Sequence, residues 1–388
     1  MITLALAGKP NCGKSTFFKA ATMANAEIAN YPFTTINPNF GVAYVRTRCA
    51  CADLPVRCGK CVDGVRFVPV NLIDVAGLVP DAHKGKGLGN QFLDHLRQAD
   101  AILHIIDASG GTDAEGNPVG TGNHDPAGDI TFLEFEMTMW VYGILDKHWT
   151  KMNRQAQVKG FSIYQAIAEV FTGLKISPDD IRDAELALKI DLVHAKMEDL
   201  VPFCARMVRL SKPMLIVGNK ADEAPEALRA KLADKNVAFA SAASELALRN
   251  AAAANLVKYL PGDPQFSVPN EAGLSAPQKA GLTKIAAVMK QNNGTGVQQA
   301  INRAVFTLLD RIVVYPVEDE NKYCNKQGDV LPDAFLMKKG STPHDLAFQV
   351  HTEIGKGFLY AIDAKTKMRI RENYVLKDGD IIKIVSVH

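Results

Sequence analysis

Residues 2–15 read ITLALAGKPNCGKS, a short apolar segment followed by a glycine-rich loop, and residues 16–21, TFFKAA, continue as a helical pattern. The loop at 8–15 fits G-x-x-x-x-G-K-[ST] without a mismatch. A strand, a glycine-rich turn and a helix N-terminus in this order aim backbone N–H groups and a positive dipole end at a phosphate. The sequence therefore predicts an α/β fold built on a P-loop domain with a mostly parallel sheet.

The phosphate-binding residues have separate predicted roles. Lys14 would reach the β- and γ-phosphates as a catalytic residue, and the Ser15 hydroxyl would bind Mg²⁺. Asp74 ends the apolar strand VNLID at 70–74 and would hold Mg²⁺ through water, while the Gly77 N–H would sense the γ-phosphate. The residues predicted to line the phosphate site are Gly8, Lys9, Pro10, Asn11, Cys12, Gly13, Lys14, Ser15 and Thr16.

A base-reading segment follows the apolar strand PMLIVG at 213–218 and reads NKAD at 219–222. A carboxylate at Asp222 can accept both the N1–H and N2–H groups of guanine, whereas adenine offers no such donor pair on that edge. The lysine of this segment would cover the base plane, and its asparagine would tie the segment to the P-loop. Asn-x-x-Asp can also be a plain loop turn, but its place after two partner motifs favours base recognition. The N–H of Ala242 is the candidate donor to guanine O6. The residues assigned to the guanine site are Asn219, Lys220, Asp222, Ser241, Ala242 and Ala243.

The composition is that of an ordinary globular protein: 388 residues, 47% hydrophobic and 22% charged, enough for two or three domains. A net charge of +2 excludes a histone-like polycation, so any contact with nucleic acid must come from a local patch. No apolar run approaches the roughly 18 residues of a membrane span, and the N-terminus lacks the basic flank of a signal peptide. We therefore expect a cytoplasmic protein without a membrane partner.

Four of the seven cysteines, Cys49, Cys51, Cys58 and Cys61, are close together in the sequence. They form C-x-C and C-x-x-C pairs between strand-like segments at 40–46 and 65–70, a spacing that can place four thiolates around Zn²⁺. C-x-C is tighter than the usual zinc spacing, and disulfides are an alternative in a thermophile. The sequence leaves structural zinc and free or disulfide-bonded thiols equally open.

The chain between Asp74 and Asn219 is too long for a single crossover and predicts an insertion. After a core strand at 101–107, helical patterns dominate from about residue 130 to residue 210. One amphipathic helix is predicted from the apolar spacing of Ile181, Ala184, Leu188, Leu192 and Ala195.

The pattern changes again near residue 310. A strand at 312–317, a helix from Thr342 to about residue 354 and strands at 358–364 and 380–387 predict a small β-grasp unit. Helices are also expected at 251–260 and 276–309. The predicted organisation is a GTP-binding domain at 1–128 and 211–265, a helical insertion domain at 129–210, a helical connector at 266–309 and the β-grasp domain at 310–388.

These motifs, in this order, resemble a translation-factor-type GTPase. The segments YPFTTINPNFG at 31–41, DVAGLV at 74–79 and GKGLGNQFL at 85–93 look like the Obg branch. The segments KGSTPHDLA at 339–347 and YVLKDGDII at 374–382 resemble a TGS domain, and the whole chain is similar to the archaeal YchF-related GTPases.

The resemblance implies slow, Mg²⁺-dependent GTP hydrolysis by a molecular switch that alternates between GTP and GDP. It makes Thr35, with Thr34 as second choice, the switch threonine that binds Mg²⁺ beside the γ-phosphate. It also implies a ribosome or RNA partner, reached through the helical and TGS-like domains. The sequence gives no sign of oligomerisation, so a monomer is expected.

One position departs from the commonest GTPase pattern. Leu78 stands where many GTPases carry a glutamine that orients the attacking water. A leucine side chain cannot form a hydrogen bond with water. In one interpretation another polar group, a cation or a partner takes over the role of the glutamine, and in the other Leu78 simply packs in the core. Asn11 is, by resemblance, a candidate K⁺ ligand. Many YchF-related proteins bind ATP and have lost Asn-Lys-x-Asp, so an ATP-preferring ATPase is one alternative, although this chain keeps the motif at 219–222, which favours GTP. A non-hydrolysing RNA- or ribosome-binding scaffold is the other alternative, and Leu78 is its only support.

Overall fold

The computed structural model describes residues 1–23, 40–75, 77–78, 80–84, 96–158 and 160–387, and within them the N-terminal sheet has the strand order β2-β4-β1-β5-β6-β7, with β3 beside β4. The β1–β4, β1–β5, β5–β6 and β6–β7 pairs are parallel, and only β2 and β3 run antiparallel to β4. The predicted mostly parallel α/β sheet is confirmed. Its strands are β1 Thr3–Ala7, β2 Phe40–Arg48, β3 Cys61–Val62, β4 Val65–Asp74, β5 Ala101–Asp107, β6 Met214–Asn219 and β7 Ala238–Phe239.

The central strands are apolar because helices cover both faces of the sheet. All seven residues of β5 and four of the five residues of β1 are buried, as expected for a parallel sheet inside an α/β layer. Parallel strands place their carboxyl ends at one edge, where the loops can form a ligand site. The helices of this region are α1 Lys14–Thr22, α6 Glu226–Ala233 and α7 Ala242–Ala253.

In the described residues, four α-helices lie between β5 and β6, where the sequence predicts helices. Their shared core includes Leu133, Trp149 and Phe203. None of the helices in the described residues is long and apolar enough to cross a membrane. The four are α2 Ala127–Ala156, α3 Ile163–Val170, α4 Pro178–Leu188 and α5 Val201–Ser211.

The amphipathic helix expected through Ala195 is shorter than predicted. It begins with a Ser177 capping box and ends at Leu188, because Lys189 adopts a left-handed conformation with φ 55°. Leu192 lies beyond the helix and is still fully buried. Its N–H donates to Glu185 Oε1 at 2.8 Å, which holds the turn on the helix. Apolar spacing therefore identified the buried face but not the helix end.

The connecting helices also differ from the prediction. The helix expected at 251–260 is wrong, because α7 ends at Ala253 and Lys258 pairs with Ser267 in an antiparallel bridge. The helix expected at 276–309 is divided by left-handed residues at Asn293 and Gly296. Its parts are α8 Ala276–Asn292, α9 Val297–Asn302 and a π-helical turn at Arg303–Leu308.

The C-terminal region forms a separate sheet with the order β11-β10-β12-β8-β9, in which β8 and β12 are parallel. Thr342 caps α10 with Asp345, as predicted, but extended His351 ends that helix before residue 354. The short strands β9 and β11 were not predicted. The elements are β8 Arg311–Val317, β9 Phe335–Lys338, α10 Pro343–Val350, α11 Thr352–Lys356, β10 Phe358–Asp363, β11 Met368–Ile370 and β12 Ile381–Ser386.

Candidate nucleotide-binding site

The P-loop lies between β1 and α1, at the carboxyl edge of the parallel strands. Gly13 has φ 93°, and a Cβ atom there would stand 2.2 Å from Asn219 Nδ2, so only glycine fits. The Lys14 ammonium donates to the Lys9 carbonyl at 2.7 Å, which keeps it at the mouth of the loop. Ser15 and Thr16 continue into the first turn of α1. The loop thus has the geometry of a phosphate cradle.

Two side-chain oxygen atoms that could bind a metal ion lie close together, one on Ser15 of the P-loop and one on Asp74. The Ser15 hydroxyl donates to Asp74 Oδ2 at 2.8 Å. Burial raises the pKa of Asp74, although the Ser15 hydrogen bond and the charge of Lys14 act in the opposite direction. A hydroxyl and a carboxylate are hard oxygen ligands that suit Mg²⁺. These two residues therefore fit the metal that P-loop GTPases use in general.

The segment after Asp74 packs directly against the P-loop. A Cβ atom on Gly77 would lie 2.9 Å from Pro10 Cγ, so a larger residue would push the two segments apart. The Leu78 N–H donates to the Gly8 carbonyl at 3.1 Å. The Leu78 side chain is buried in the helical core with Val75 and Leu133. Of the two interpretations of Leu78, core packing is the one that describes its position.

Asn219 joins the base-reading segment to the P-loop. Its Nδ2 donates to the carbonyls of Cys12 and Gly13 at 3.0 and 3.4 Å. Three residues later the Asp222 side chain is exposed, and within the described residues no ion pair engages it. This arrangement places an available carboxylate at a fixed position relative to the phosphate cradle.

The Ala242 N–H has a different partner from the one predicted. It donates to Asn219 Oδ1 at 3.1 Å, so in this structure it is not available to guanine O6. The N-cap of α7 is Ser241, whose hydroxyl accepts from the Ser244 N–H at 3.3 Å. Ala243, the next residue of the helix, is exposed. Asn219 thus hydrogen-bonds to both the P-loop and the start of α7.

Asp107 is a site residue that sequence reasoning missed. It ends β5, between the strands that carry Asp74 and Asn219, and its Oδ2 lies 2.7 Å from Lys220 Nζ. Burial opposes its ionisation, but hydrogen bonds from Lys220, Ser109 and Thr112 outweigh burial and lower the pKa. The signal that could have identified it is its position at the carboxyl end of a central parallel strand.

His104 precedes Asp107 in the same strand and lies opposite Ala7 at the end of β1. Burial, helped by the charge of Lys14, lowers its pKa to about 3. The imidazole is 2% exposed. It is therefore neutral at physiological pH and serves as part of the packed floor of the site.

The loop between β5 and α2 covers the P-loop, a contact that the sequence did not reveal. Lys9 Nζ lies 2.7 Å from Asp129 Oδ2 and donates to the Thr112 carbonyl at 2.8 Å, with both charged side chains buried. The Asn11 amide nitrogen donates to the Gly116 carbonyl at 3.0 Å. The phosphate cradle is thereby tied to the start of the helical segment.

Two predicted elements lie outside the described residues: the switch threonine Thr35, with Thr34, and the glycine-rich segment 85–93. Their assignment stays a prediction.

The four clustered cysteines are brought together at the other end of the β2–β4 hairpin. Cys49, Cys51 and Cys58 are buried, and Cys61 is half-buried. The four Sγ atoms lie within 4.8 Å of one another, and all four are free thiols in the structure.

Comparison with known families divides the chain into three matches. Residues 3–126 match the family described as 50S ribosome-binding GTPase. Residues 217–319 match the G4 motif-containing domain of the YGR210-like Obg-like GTPases. Residues 323–386 match the TGS domain. The C-terminal sheet is therefore a TGS domain.

Full-length relatives are also found. The chain is 50% identical to the uncharacterized GTP-binding protein MJ1332 of Methanocaldococcus jannaschii, with 100% of this chain and 99% of that protein covered. It is 27% identical to a Bacillus subtilis protein named ribosome-binding ATPase YchF, over 98% of both chains. A crystal structure of a GTP-binding protein from Pyrococcus horikoshii has a TM-score of 0.78 and 40% identity, and it covers 100% of both chains.

Proposed function

The chain belongs to the YchF-related family of GTP-binding proteins, and from that premise we propose that it hydrolyses GTP with Mg²⁺ and acts as a nucleotide-dependent switch. The observation that carries this proposal is Asn219, which bonds to the P-loop on one side and precedes the exposed Asp222 on the other. A phosphate cradle and a guanine-selective carboxylate held in one rigid unit favour a guanine nucleotide over other phosphates.

In the proposed reaction, water attacks the γ-phosphorus and the bond to the β–γ bridging oxygen breaks, which yields GDP and phosphate. Lys14 would stabilise the charge on the transferred group, and the Gly77 N–H would hold a γ-phosphate oxygen. Ser15 and Asp74, with Thr35 by resemblance, would hold Mg²⁺. The metal, when bound, would neutralise charge on the β- and γ-phosphate oxygens.

The buried Leu78 does not position the attacking water. We assign that task to a cation or a partner protein. Asn11 is the candidate K⁺ ligand through its amide oxygen, and the hydrogen bond from its amide nitrogen to the Gly116 carbonyl orients that amide. Single-turnover GTP hydrolysis should be faster in potassium than in sodium buffer. Equal rates would remove the K⁺ role and leave the partner.

Calorimetric titration of nucleotide-free protein with GDP and, separately, with ADP tests the nucleotide specificity. We expect GDP to bind at least about 100-fold more tightly, or roughly 2.7 kcal/mol. Comparable or tighter ADP binding would mean that Asp222 does not read the base. The ATP-preferring alternative, which the name of the Bacillus subtilis relative favours, would then be preferred.

We extend the proposal to a ribosomal partner because that relative is named ribosome-binding. The helical segment and the TGS domain would form the contact and would report the nucleotide state to the ribosome. Co-sedimentation with ribosomes should depend on whether GTP or GDP is bound. Sedimentation that ignores the nucleotide and varies only with salt would instead support a non-hydrolysing scaffold.

A further inference from the structure

The cysteine cluster has the dimensions of a tetrahedral metal site. Cys49 and Cys58 Sγ atoms lie 3.6 Å apart, and Cys51 and Cys61 Sγ atoms lie 3.5 Å apart. Four sulfurs at the Zn–S distance of about 2.3 Å from one ion would be separated by about 3.8 Å. A disulfide needs about 2.05 Å. Each close pair joins one cysteine of the C-x-C motif to one cysteine of the C-x-x-C motif, so each motif supplies half of the site.

Arg66 supplies an independent sign that negative charge belongs here. Its side chain is 1% exposed, and Nη1 lies 3.9 Å from Cys58 Sγ. Its other contact is a neutral one, Nη2 to the Pro332 carbonyl at 3.0 Å. In the part of the chain that the structure describes, no carboxylate forms an ion pair with it. A buried guanidinium without a counter-charge is costly, whereas Zn²⁺ with four thiolates carries two net negative charges.

We propose that Cys49, Cys51, Cys58 and Cys61 bind one Zn²⁺ in a closed site that fixes the tip of the β2–β4 hairpin to the C-terminal TGS region. Four protein ligands leave no open position for a substrate, so the site is structural rather than catalytic. The Lys60 N–H donates to Cys58 Sγ at 3.4 Å, an outer hydrogen bond of the kind that stabilises thiolate ligands.

The location of the cluster gives the site its structural role. Cys49, Cys51 and Cys58 belong to one hydrophobic cluster with Tyr315 of β8 and Leu331. Tyr315 is fully buried in this cluster. Arg66 contacts Cys58 on one side and Pro332 on the other. The metal would thus order the hairpin tip where it contacts β8 and the loop before β9.

Metal analysis of the full-length protein tests the proposal. The protein is produced in zinc-supplemented medium and purified under reductant, and we expect about one zinc per chain by elemental mass spectrometry. Cys58→Ser should lose most of this zinc. The matched control is Cys204→Ala, which removes a buried cysteine in the helical core and should keep the full zinc content.

A measurement on the wild-type chain covers the case in which Cys58→Ser fails to fold. After zinc is exchanged for Co²⁺, the site should show the thiolate charge-transfer and tetrahedral ligand-field bands of a four-sulfur site. Zinc well below one per chain without these bands, four freely titrating thiols, bound iron, or Cys49–Cys58 and Cys51–Cys61 disulfides would each overturn the zinc assignment.

Hydrogen exchange tests the structural role separately. Chelation of zinc after thiol modification should increase exchange in residues 311–317 and 323–332, which pack on the cluster. Unchanged exchange there after complete zinc release would overturn the anchoring role. None of these measurements involves nucleotide, so their failure is distinct from failure of the proposed GTPase function.

Discussion

The two ends of the β2–β4 hairpin carry metal-binding groups of different chemistry. One end reaches Asp74, half-buried and bonded to Ser15, where oxygen atoms suit a hard, exchangeable cation. The other end holds Cys49 and Cys58, which are buried and suit a soft-ligand site closed to solvent. The register between the ends is continuous, from Phe40 opposite Ile73 to Arg48 opposite Val65.

This difference gives the two ends of one element separate chemical roles. We call the end of the hairpin that reaches Asp74 the oxygen end and the end that holds the four cysteines the sulfur end. A hydrogen-bonded ladder of this length is stiff, so the sulfur end can stay fixed to the C-terminal region while nucleotide-dependent change is confined to the oxygen end. The first and last predictions below each change one end and measure both.

The largest effect is expected from Lys14→Ala at the oxygen end. Removing a charge that stabilises the transition state should slow single-turnover GTP hydrolysis by about 10²–10³-fold. Lys19→Ala, an exposed residue later in the same helix, is the control and should hydrolyse normally. Zinc content should be the same in both variants. A change in zinc content with Lys14→Ala would show that the two ends are not independent.

Asp222→Asn should abolish base selectivity without touching the phosphate cradle. The expected preference of about 100-fold for GDP over ADP should fall to near unity, because an amide cannot accept two guanine donors. Glu223→Gln, exposed and adjacent, should leave the preference intact. Calorimetry with both nucleotides measures the ratio. If Asp222→Asn kept its selectivity, another group would be the base reader.

The residues of the candidate nucleotide site also show what the sequence could predict. Lys14, Asp74 and Asp222 were identified because each follows an apolar strand with a local motif, and parallel strands bring such ends together. Asp107 and the Lys9–Asp129 pair were not identified. Asp107 stands outside any motif, and the two members of the pair are far apart in the chain, so only the folded chain shows the contact.

Helix ends and backbone donors illustrate the same limit. The end of α4 depends on the left-handed Lys189, and the fate of the Ala242 N–H depends on Asn219. Neither feature depends on the spacing of apolar residues, so the apolar pattern of the sequence could not predict it. The cysteine spacing left zinc and disulfides open, and the observations that favour the metal, the sulfur separations and the buried Arg66, come from the folded chain.

His104 should make the nucleotide end sensitive to acid. The pKa of His104 is about 3 in the folded chain and about 6.5 in the unfolded chain. Between these values only the unfolded chain takes up the proton, so the free energy of unfolding keeps its full value above pH 6.5 and falls as the pH is lowered toward 3. Between pH 7 and pH 5 the free energy of unfolding should fall by about 2 kcal/mol from this group. Urea unfolding followed by circular dichroism measures it.

His104→Gln should flatten that part of the pH profile, since the amide binds no proton. His194→Gln, at an exposed histidine, is the control and should retain the slope. An unchanged slope in His104→Gln would place the acid sensitivity elsewhere.

The smallest expected effect is at the sulfur end, with Arg66→Gln. Loss of the buried positive charge beside Cys58 should weaken zinc binding by about tenfold, the lower range for groups that support metal ligands. Arg66→Lys should recover part of the affinity because it keeps the charge, whereas Arg206→Gln, at an exposed position in helix α5, should have little effect. Competition with a chromophoric chelator measures all three. GDP affinity should not change, because Arg66 lies at the far end of β4 from Asp74. Equal zinc affinity in Arg66→Gln and wild type would mean that the guanidinium serves only its bond to Pro332 and does not balance the metal site.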